Sequence, residues 1–204
     1  PGGTPVPMET YEPEQLGEKR LVLEQDAQPM LLVGYKIEGI NHPDWPVYNA
    51  IADILGQGRT SRLYTRAVKE EQKAVQVMSF AGYPGVRYRT LLAIMGIPAK
   101  DVTATELEDV VLAEIQRLVE EGVTAEELEG VKRRARADFL RGLQGNNGLA
   151  GQLAMTQAMT GDWRHLFEEV ERMEAVTVED IQRVAEEIFQ RTNRSVAMSE
   201  KLES

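Results

Sequence analysis

The spacing of apolar residues changes about half-way along the chain. Before residue 100 they come in short runs, several of them alternating with polar residues, and after Asp101 they recur every three or four positions. The first pattern is typical of strands and the second of amphipathic helices. We predict strands at 18–24, 30–37, 75–82, 86–97 and 194–198. The second of these runs, MLLVGYKI, is strongly apolar, so we expect it to be central to a sheet.

Two helices are predicted between the second and third strands. The first carries Val47, Ile51, Ile54 and Leu55 on one face, and Gly56 and Gly58 end it. The other is short and starts near Ser61, which suits an N-cap position. Its apolar residues are Leu63, Ala67 and Val68.

The second half is predicted to be almost entirely helical. Capping boxes at Thr103, Thr124 and Thr177 begin three of its helices, and Gly122 is a C-cap glycine. Between the last two of these boxes we predict a small-residue helix at 149–159, after the break GNNG, and a short helix around Leu166.

The order of elements predicts an α+β fold, with an antiparallel sheet packed against helices. The turn signal Tyr83-Pro84-Gly85 indicates a hairpin between two of the strands. Residues 1–17 hold four of the nine prolines and three glycines, so we expect a linker or extended arm there. Residues 18–204 are then a single domain.

The amino-acid composition argues against several classes of function. The net charge of −10 argues against nucleic-acid binding and against anionic membranes, and no apolar run has transmembrane length. The absence of cysteine excludes disulfides and thiolate metal sites. We expect a soluble protein of the bacterial cytoplasm or periplasm. Because the chain begins at Pro1, we also expect it to be cut from a longer parent.

Few residues of the chain have the type and spacing that a catalytic or metal site needs. The two histidines, His42 and His165, stand in no His-x-x-Glu-His or His-Glu-x-x-His pattern. His165 with Glu168 and Glu169 is better explained as an exposed helix face than as a metal site. No serine has a Gly-x-Ser-x-Gly setting, and no glycine loop suits a phosphate. We therefore predict no catalytic residue, metal ligand or cofactor in this chain. Trp45, Trp163, Met155 and Met159 are predicted to pack in the core or at a domain interface.

One stretch carries a family resemblance. Residues 44–82 combine a helix, a glycine break, Ser61-Arg62-Leu63-Tyr64, a short helix with a charged corner and a strand. Residues 173–199, with a Thr-Val-Glu-Asp helix start and Asn193 before the last strand, add to it. The chain resembles the C-terminal, non-zinc half-domain of the insulinase/pitrilysin zinc peptidases. In that family the final strand is an edge strand.

At two positions the chain differs from the family pattern in a way that bears on function. In the version of the domain that assists catalysis, an Arg and a Tyr seven residues later reach the substrate, and here Val68 and Val75 hold those places. Neither side chain donates a hydrogen bond. Arg62, Tyr64 and Arg66 are left as candidate substrate-binding residues. The alternative is a helix flank in which Tyr64 is half-buried and the arginines pair with Glu70 or Glu71.

Two functions follow from the resemblance. The first is a non-catalytic wall of a peptide-binding chamber, with zinc and the catalytic residues in another domain or subunit, so that the parent is a zinc metalloendopeptidase. Its partners would be an N-terminal zinc-binding domain, a homologous subunit and a peptide substrate. The second is a non-proteolytic scaffold or assembly subunit with the same fold.

Overall fold

The apolar runs predicted as strands pair into one sheet. The computed structural model describes residues 13–143 and 145–201, so most of the predicted linker, residues 1–12, lies outside the described residues. Five strands lie in the order β1-β5-β2-β4-β3. They are β1 (Lys19–Gln25), β2 (Met30–Ile37), β3 (Ala74–Tyr83), β4 (Thr90–Pro98) and β5 (Arg194–Lys201). The apolar strand β2 is central, as predicted.

The helices follow the predicted order. The α-helices are α1 (Trp45–Gly56), α2 (Ala104–Glu121), α3 (Ala125–Gly142), α4 (Asn146–Thr160), α5 (His165–Glu174) and α6 (Val178–Ile188), and a π-helix spans Tyr64–Glu70. The α+β class is confirmed. Three strand pairings are antiparallel, including the predicted β3–β4 hairpin, but β1 pairs with β5 in parallel.

The position of β5 corrects one expectation. The resemblance implied that the last strand is an edge strand, whereas β5 lies between β1 and β2. The edges are β1 and β3. β1 occupies the position outside β5, and it is exposed along its whole length.

One face of the sheet is covered by α1, α2 and α6. Strand residues such as Leu31, Val33 and Ile94 point toward these helices, and together with Leu107 and Ile181 they form a core that excludes solvent. The helices begin where the sequence predicted, because all three capping boxes form. The backbone N–H of Glu106, Glu127 and Asp180 donates to the preceding threonine hydroxyl at 3.1, 3.2 and 3.1 Å.

The two glycines after α1 have different physical roles. A Cβ on Gly56 would lie 2.1 Å from the backbone nitrogen of Ser79, so only glycine lets α1 approach β3 this closely. Gly58 has φ of +79°, which favours glycine. Ser61 directly precedes the helical residues 62–70, and its carbonyl accepts a hydrogen bond from the backbone N–H of Thr65. Its hydroxyl, however, donates to the carbonyl of Gly58 at 2.9 Å instead of capping the helix.

The strand predicted at 86–97 is shorter than expected. β4 begins at Thr90, and residues 86–89 leave the ladder to contact the loop after β2. Val86 accepts a hydrogen bond from the backbone of Ile40 at 2.7 Å, and Arg89 donates to Glu38 at 2.7 Å. Of the two arginines whose alternation suggested a strand, Arg89 contacts this loop, and Arg87 donates to the carbonyl of Ala158 on α4 at 3.3 Å.

Helices α3, α4 and α5 form a lobe beside α1. Trp45 is buried in the core as predicted. Trp163 and Met155 are not core residues, because they are 42% and 61% exposed, and for these two the alternative of packing at a domain interface stays a prediction. Both lie on this lobe, where the helices have less of the chain to pack against.

Candidate functional site

The corner formed by the π-helix holds all three candidate binding residues. Arg62 donates through Nε and Nη2 to the carboxylate of Glu127, at 2.6 and 2.8 Å, and through Nη2 to the carbonyl of Gly122 at 2.9 Å. Arg66 donates to Glu71 at 2.8 Å and to Glu114 at 3.2 Å. The two arginines therefore fasten the corner to α2 and to the start of α3.

Glu114 is the centre of this ion-pair network. Its side chain is 1% exposed, and Arg66, Arg117 and Arg62 approach its carboxylate at 3.2, 3.9 and 4.0 Å. A buried carboxylate is tolerated only when it is paired, which explains why three guanidinium groups converge on it. Within the described ranges, Glu114 Oε1 and Arg62 Nη1 face each other at 4.0 Å without a hydrogen bond.

The Arg62 contact also sets the charge of Glu127. Burial alone raises the pKa of a carboxylate, but hydrogen bonds from Arg62 and Thr124 and the charge of Arg62 outweigh this. The net effect lowers the pKa of Glu127 from 4.5 to about 2. Glu127 is therefore anionic at every physiological pH and holds the guanidinium of Arg62 in place.

Tyr64 is the third candidate, and its hydroxyl takes no part in the ion-pair network around Glu114. It is half-buried, the ammonium of Lys69 lies 5.5 Å from its ring centroid, and its hydroxyl makes no hydrogen bond to another described residue. Val68 packs against the core, and Val75 is 63% exposed at the start of β3. The corner thus presents an aromatic and an apolar surface, without a side-chain donor at Val68 and Val75, the two places where the family resemblance implies an Arg and a Tyr. Substrate binding by Arg62, Tyr64 and Arg66 stays a prediction.

The histidines lie in separate settings. His42 accepts a hydrogen bond from the backbone N–H of Asp44 at 3.2 Å, and His165 lies 3.9 Å from Glu168 on α5. Within the part of the chain that the structure describes, no three His, Asp or Glu side chains are grouped to hold a metal ion. These donors do not fit a zinc site, so we assign no zinc-dependent step to them. No helix among the described residues has the length and apolar character needed to cross a membrane.

Within residues 13–143 and 145–201, no helix layer covers the second face of the sheet. Strand residues on this face alternate with the core residues, and we call it the open face. It contains Leu21, Leu23, Leu32, Met78, Leu91, Met95, Ile97 and Ala197. These side chains are half-buried or exposed, and none packs under α1, α2 or α6, which approach the opposite face at Gly96 and Ser79. A contiguous apolar sheet face of this kind marks an interaction surface.

A groove separates α1 from the lobe of α3, α4 and α5. Its volume is about 790 Å³. The lining is mainly apolar and includes Trp45, Ala135, Phe139, Met159, Leu166 and Met173. The charged residues that line it are Asp53, Arg134, Asp138, Glu169 and Arg172.

Comparison with known families agrees with this geometry. Residues 1–135 match the family described as the peptidase M16 inactive domain. The chain belongs to this family. The resemblance to the non-zinc domain of insulinase/pitrilysin peptidases is therefore confirmed.

Similar proteins come from several bacteria. The chain is 26% identical over 183 residues to the zinc protease PqqE of Helicobacter pylori, covering 89% of this chain and 40% of that protein. A Helicobacter pylori protease structure superposes with a TM-score of 0.88 at 23% identity, covering 98% of this chain and 48% of that one. An inactive peptidase domain from Bordetella parapertussis gives 0.75 at 21% identity, with 86% and 94% covered. The chain thus spans less than half of the first two proteins and nearly all of the third.

The sequence reasoning missed the open face and the groove. A signal for the first was present, since β2 and β4 are apolar at consecutive positions, as in strands buried on both faces. Only one layer of helices covers them among the described residues. The groove had no such signal, because it depends on how far the α3–α5 lobe lies from α1.

Proposed function

We propose that this M16 inactive domain is the non-catalytic half of a zinc metalloendopeptidase and forms one wall of its peptide-binding chamber. Zinc and the catalytic residues then belong to another domain or subunit. The observation that carries the proposal is the apolar open face. The chain covers 40% of the zinc protease PqqE, so most of such a protein lies outside the matched segment. A sheet face of this kind needs a second layer, and the remainder of such a protein is long enough to supply it.

The open face is then the docking surface for the zinc-binding domain. Leu32 and Met95 are cross-strand neighbours near its centre, and Leu21 and Leu23 extend it to the edge. Covering these side chains would remove apolar area from water, at about 25 cal/mol per Å². The same surface suits a homologous partner subunit if the catalytic half is a separate chain.

The edge strand β3 is the chamber-facing element in this proposal. Among the described strands it pairs with β4 alone, so the other side of its first half is available to an extended peptide as an added strand. Val75 lies within that segment, and Tyr64 lies on the π-helix that contacts β3, in the corner held by Arg62 and Arg66. Tyr64 is then the residue that contacts the peptide, and the arginines are positioning residues.

Deleting the domain tests the function. The parent protein is expressed with and without residues 1–204, and hydrolysis of an unstructured peptide is measured. We expect turnover to be lost without the domain and restored when the separate chain is added back. Unchanged turnover without it would contradict the chamber-wall role. If the rest of the parent has no His-x-x-Glu-His and no hydrolysis is detected, the protein is instead a scaffold with the same fold.

A further inference from the structure

Strand β1 has one side of its backbone unpaired, because among the described strands it pairs with β5 alone. We propose that this free side pairs antiparallel with β1 of a second copy of the chain, about a two-fold axis through Val22. The two five-stranded sheets then form one continuous sheet. The interface uses the edge of the sheet and neither the open face nor the corner, so it does not depend on the proposed function.

β1 is a regular and apolar edge strand. All seven of its residues are exposed, and Leu21, Val22 and Leu23 at its centre are 54%, 48% and 50% exposed. Its register with β5 runs without a shift from Lys19 to Gln25, whereas the other edge strand, β3, has irregularities near both ends. Proteins protect an exposed edge with bulges, proline or charges, and the centre of β1 has none of these. Such a strand readily accepts another strand.

The residues that lead into β1 do not occupy its free side. The side-chain amide of Gln15 donates to the carbonyl of Arg194 at 2.7 Å, and Pro13 lines a small cavity together with Lys36 and Arg89. These contacts are with β5, with β2 and with the residue before β4, which all lie on the paired side of β1. The described residues before β1 therefore leave its outer side accessible.

The sequence of β1, KRLVLEQ, complements itself in the antiparallel direction. When Val22 lies opposite Val22 of a second copy, Leu21 faces Leu23 and Arg20 faces Glu24. Cross-strand pairs of apolar residues and of opposite charges stabilise a sheet, and like charges directly opposite destabilise it. In this register no like charges face each other along the strand. This self-complementarity favours a second copy of the chain over an unrelated strand.

Other registers are less favourable. A shift of two residues shortens the pairing, and in one direction it places Glu18 opposite Glu24. In the proposed register Glu24 instead faces a cluster without net charge. Arg20 donates to Glu108 at 2.7 and 2.5 Å and to Glu18 at 3.1 and 3.0 Å, and Glu18 also accepts from Arg194. Arg20 is the member of this cluster directly opposite Glu24, so we expect the charges to set the register more than the affinity.

The dimer is expected to be weak. Stable complexes use about 20–30 residues a side, and a single short strand supplies far fewer. Each copy also carries a net charge of −10, which opposes association. At an ionic strength of about 0.15 M the screening length is about 8 Å, so this repulsion is reduced. We therefore expect a reversible dimer that is populated at high protein concentration.

Sedimentation equilibrium of the 204-residue chain tests the proposal. The related Bordetella domain was crystallised with nearly its whole chain matching this one, so the catalytic half is not needed for folding. The average mass should rise with concentration from that of a monomer toward twice that value. Val22→Lys places two ammonium groups opposite each other and should weaken association about tenfold without changing the thermal midpoint. The matched controls, Val75→Lys on the other edge and Met95→Lys on the open face, should still dimerise.

Disulfide cross-linking tests the register. The chain has no cysteine, so a single introduced thiol reports one position. Val22→Cys places the two thiols opposite each other, with Cα atoms about 4.5–5.5 Å apart, which a disulfide can span. In Glu24→Cys the two positions are four residues apart along the strands, about 14 Å, which is too far. In a glutathione redox buffer Val22→Cys should form the covalent dimer about tenfold faster than Glu24→Cys.

Three results would overturn the inference. The first is a wild-type chain that stays monomeric up to its limit of solubility. The second is cross-linking at equal rates by Val22→Cys and Glu24→Cys. The third is a dimer that is lost in Met95→Lys and kept in Val22→Lys, because the copies would then associate through their open faces. None of these results bears on the domain-deletion experiment, which measures hydrolysis of a peptide by the parent.

Discussion

At the scale of single residues, the ion pairs of the corner show how far local sequence predicts contacts. Arg66 pairs with Glu71, five residues away, as one alternative had it. Its second partner, Glu114, is 48 residues away, and Glu127 is 65 residues from Arg62. Glutamates are abundant in this chain, so nothing local marks these two as partners. The tertiary fold selects them by bringing α2 and α3 against the π-helix.

Glu114 is expected to contribute more to stability than exposed glutamates do. Replacing it in Glu114→Ala leaves the guanidinium groups of Arg62 and Arg66 beside a buried space without their shared anion. We expect a loss of about 3–5 kcal/mol in the free energy of unfolding, measured in urea. Glu121→Ala, which removes an exposed partner of Arg117 on the same helix, should cost no more than about 0.5 kcal/mol. Equal losses for the two variants would contradict the central role of Glu114.

The lowered pKa of Glu127 predicts a dependence of stability on pH. The carboxylate titrates at 4.5 when unfolded and at about 2 when folded, so the unfolded chain binds more protons in between. Its stabilising contribution is complete above pH 4.5 and decreases as the pH falls toward 2. In urea unfolding from pH 7 to 2, the stability difference between wild type and Glu127→Gln should shrink over that window. A difference that stays constant down to pH 2 would show that the Arg62 contact does not form.

At the scale of elements, the sequence predicted best what is determined locally. Each capping box begins a helix, because the threonine and the acidic residue three positions later satisfy one another's backbone groups. The start of β4 was predicted less well, because Val86 and Arg89 are held by the loop at Glu38–Ile40. The π-helical form of Tyr64–Glu70 was also missed, since its composition differs little from that of an α-helix.

Gly56 provides a test of the packing between α1 and β3. Gly56→Ala places a methyl group against the backbone of Ser79, where no flexible side chain can move aside. We expect destabilisation by about 3 kcal/mol, at the upper end of the overpacking range, measured by urea unfolding. The control is Gly151→Ala on α4, where no atom lies within 4 Å of the new methyl. That change should stabilise the chain by about 0.5–1 kcal/mol through helix propensity.

At the scale of the whole molecule, connectivity was the part that sequence patterns could not supply. The periodicity identifies five strands, but the pairing of β1 with β5 joins segments near the two ends of the chain. This parallel pairing creates the edge at β1 and places β5 in the interior. The same limit applies to the groove and the open face. Both exist because no other described segment of the chain packs there. A local pattern of apolar residues carries no information about which distant segments pack against an element.

The open face yields a prediction about association that is independent of folding. Met95→Lys puts an ammonium in the middle of this face, where the flexible lysine stem lets the charge reach water in the separate chain. The thermal midpoint should therefore change little. Binding to the separately expressed remainder of the parent should weaken by roughly 100-fold, because docking would bury the charge without a partner.

Leu140→Lys is the matched control for this experiment. Leu140 is an exposed apolar residue on α3, remote from the open face, so its substitution should leave association unchanged. Analytical ultracentrifugation of the mixed halves measures both effects at one protein concentration. If Met95→Lys and Leu140→Lys associate equally well, the zinc-binding half does not dock on the open face. The apolar residues of β2 and β4 would then need another covering layer, because a sheet with one apolar face left in water is an aggregation hazard.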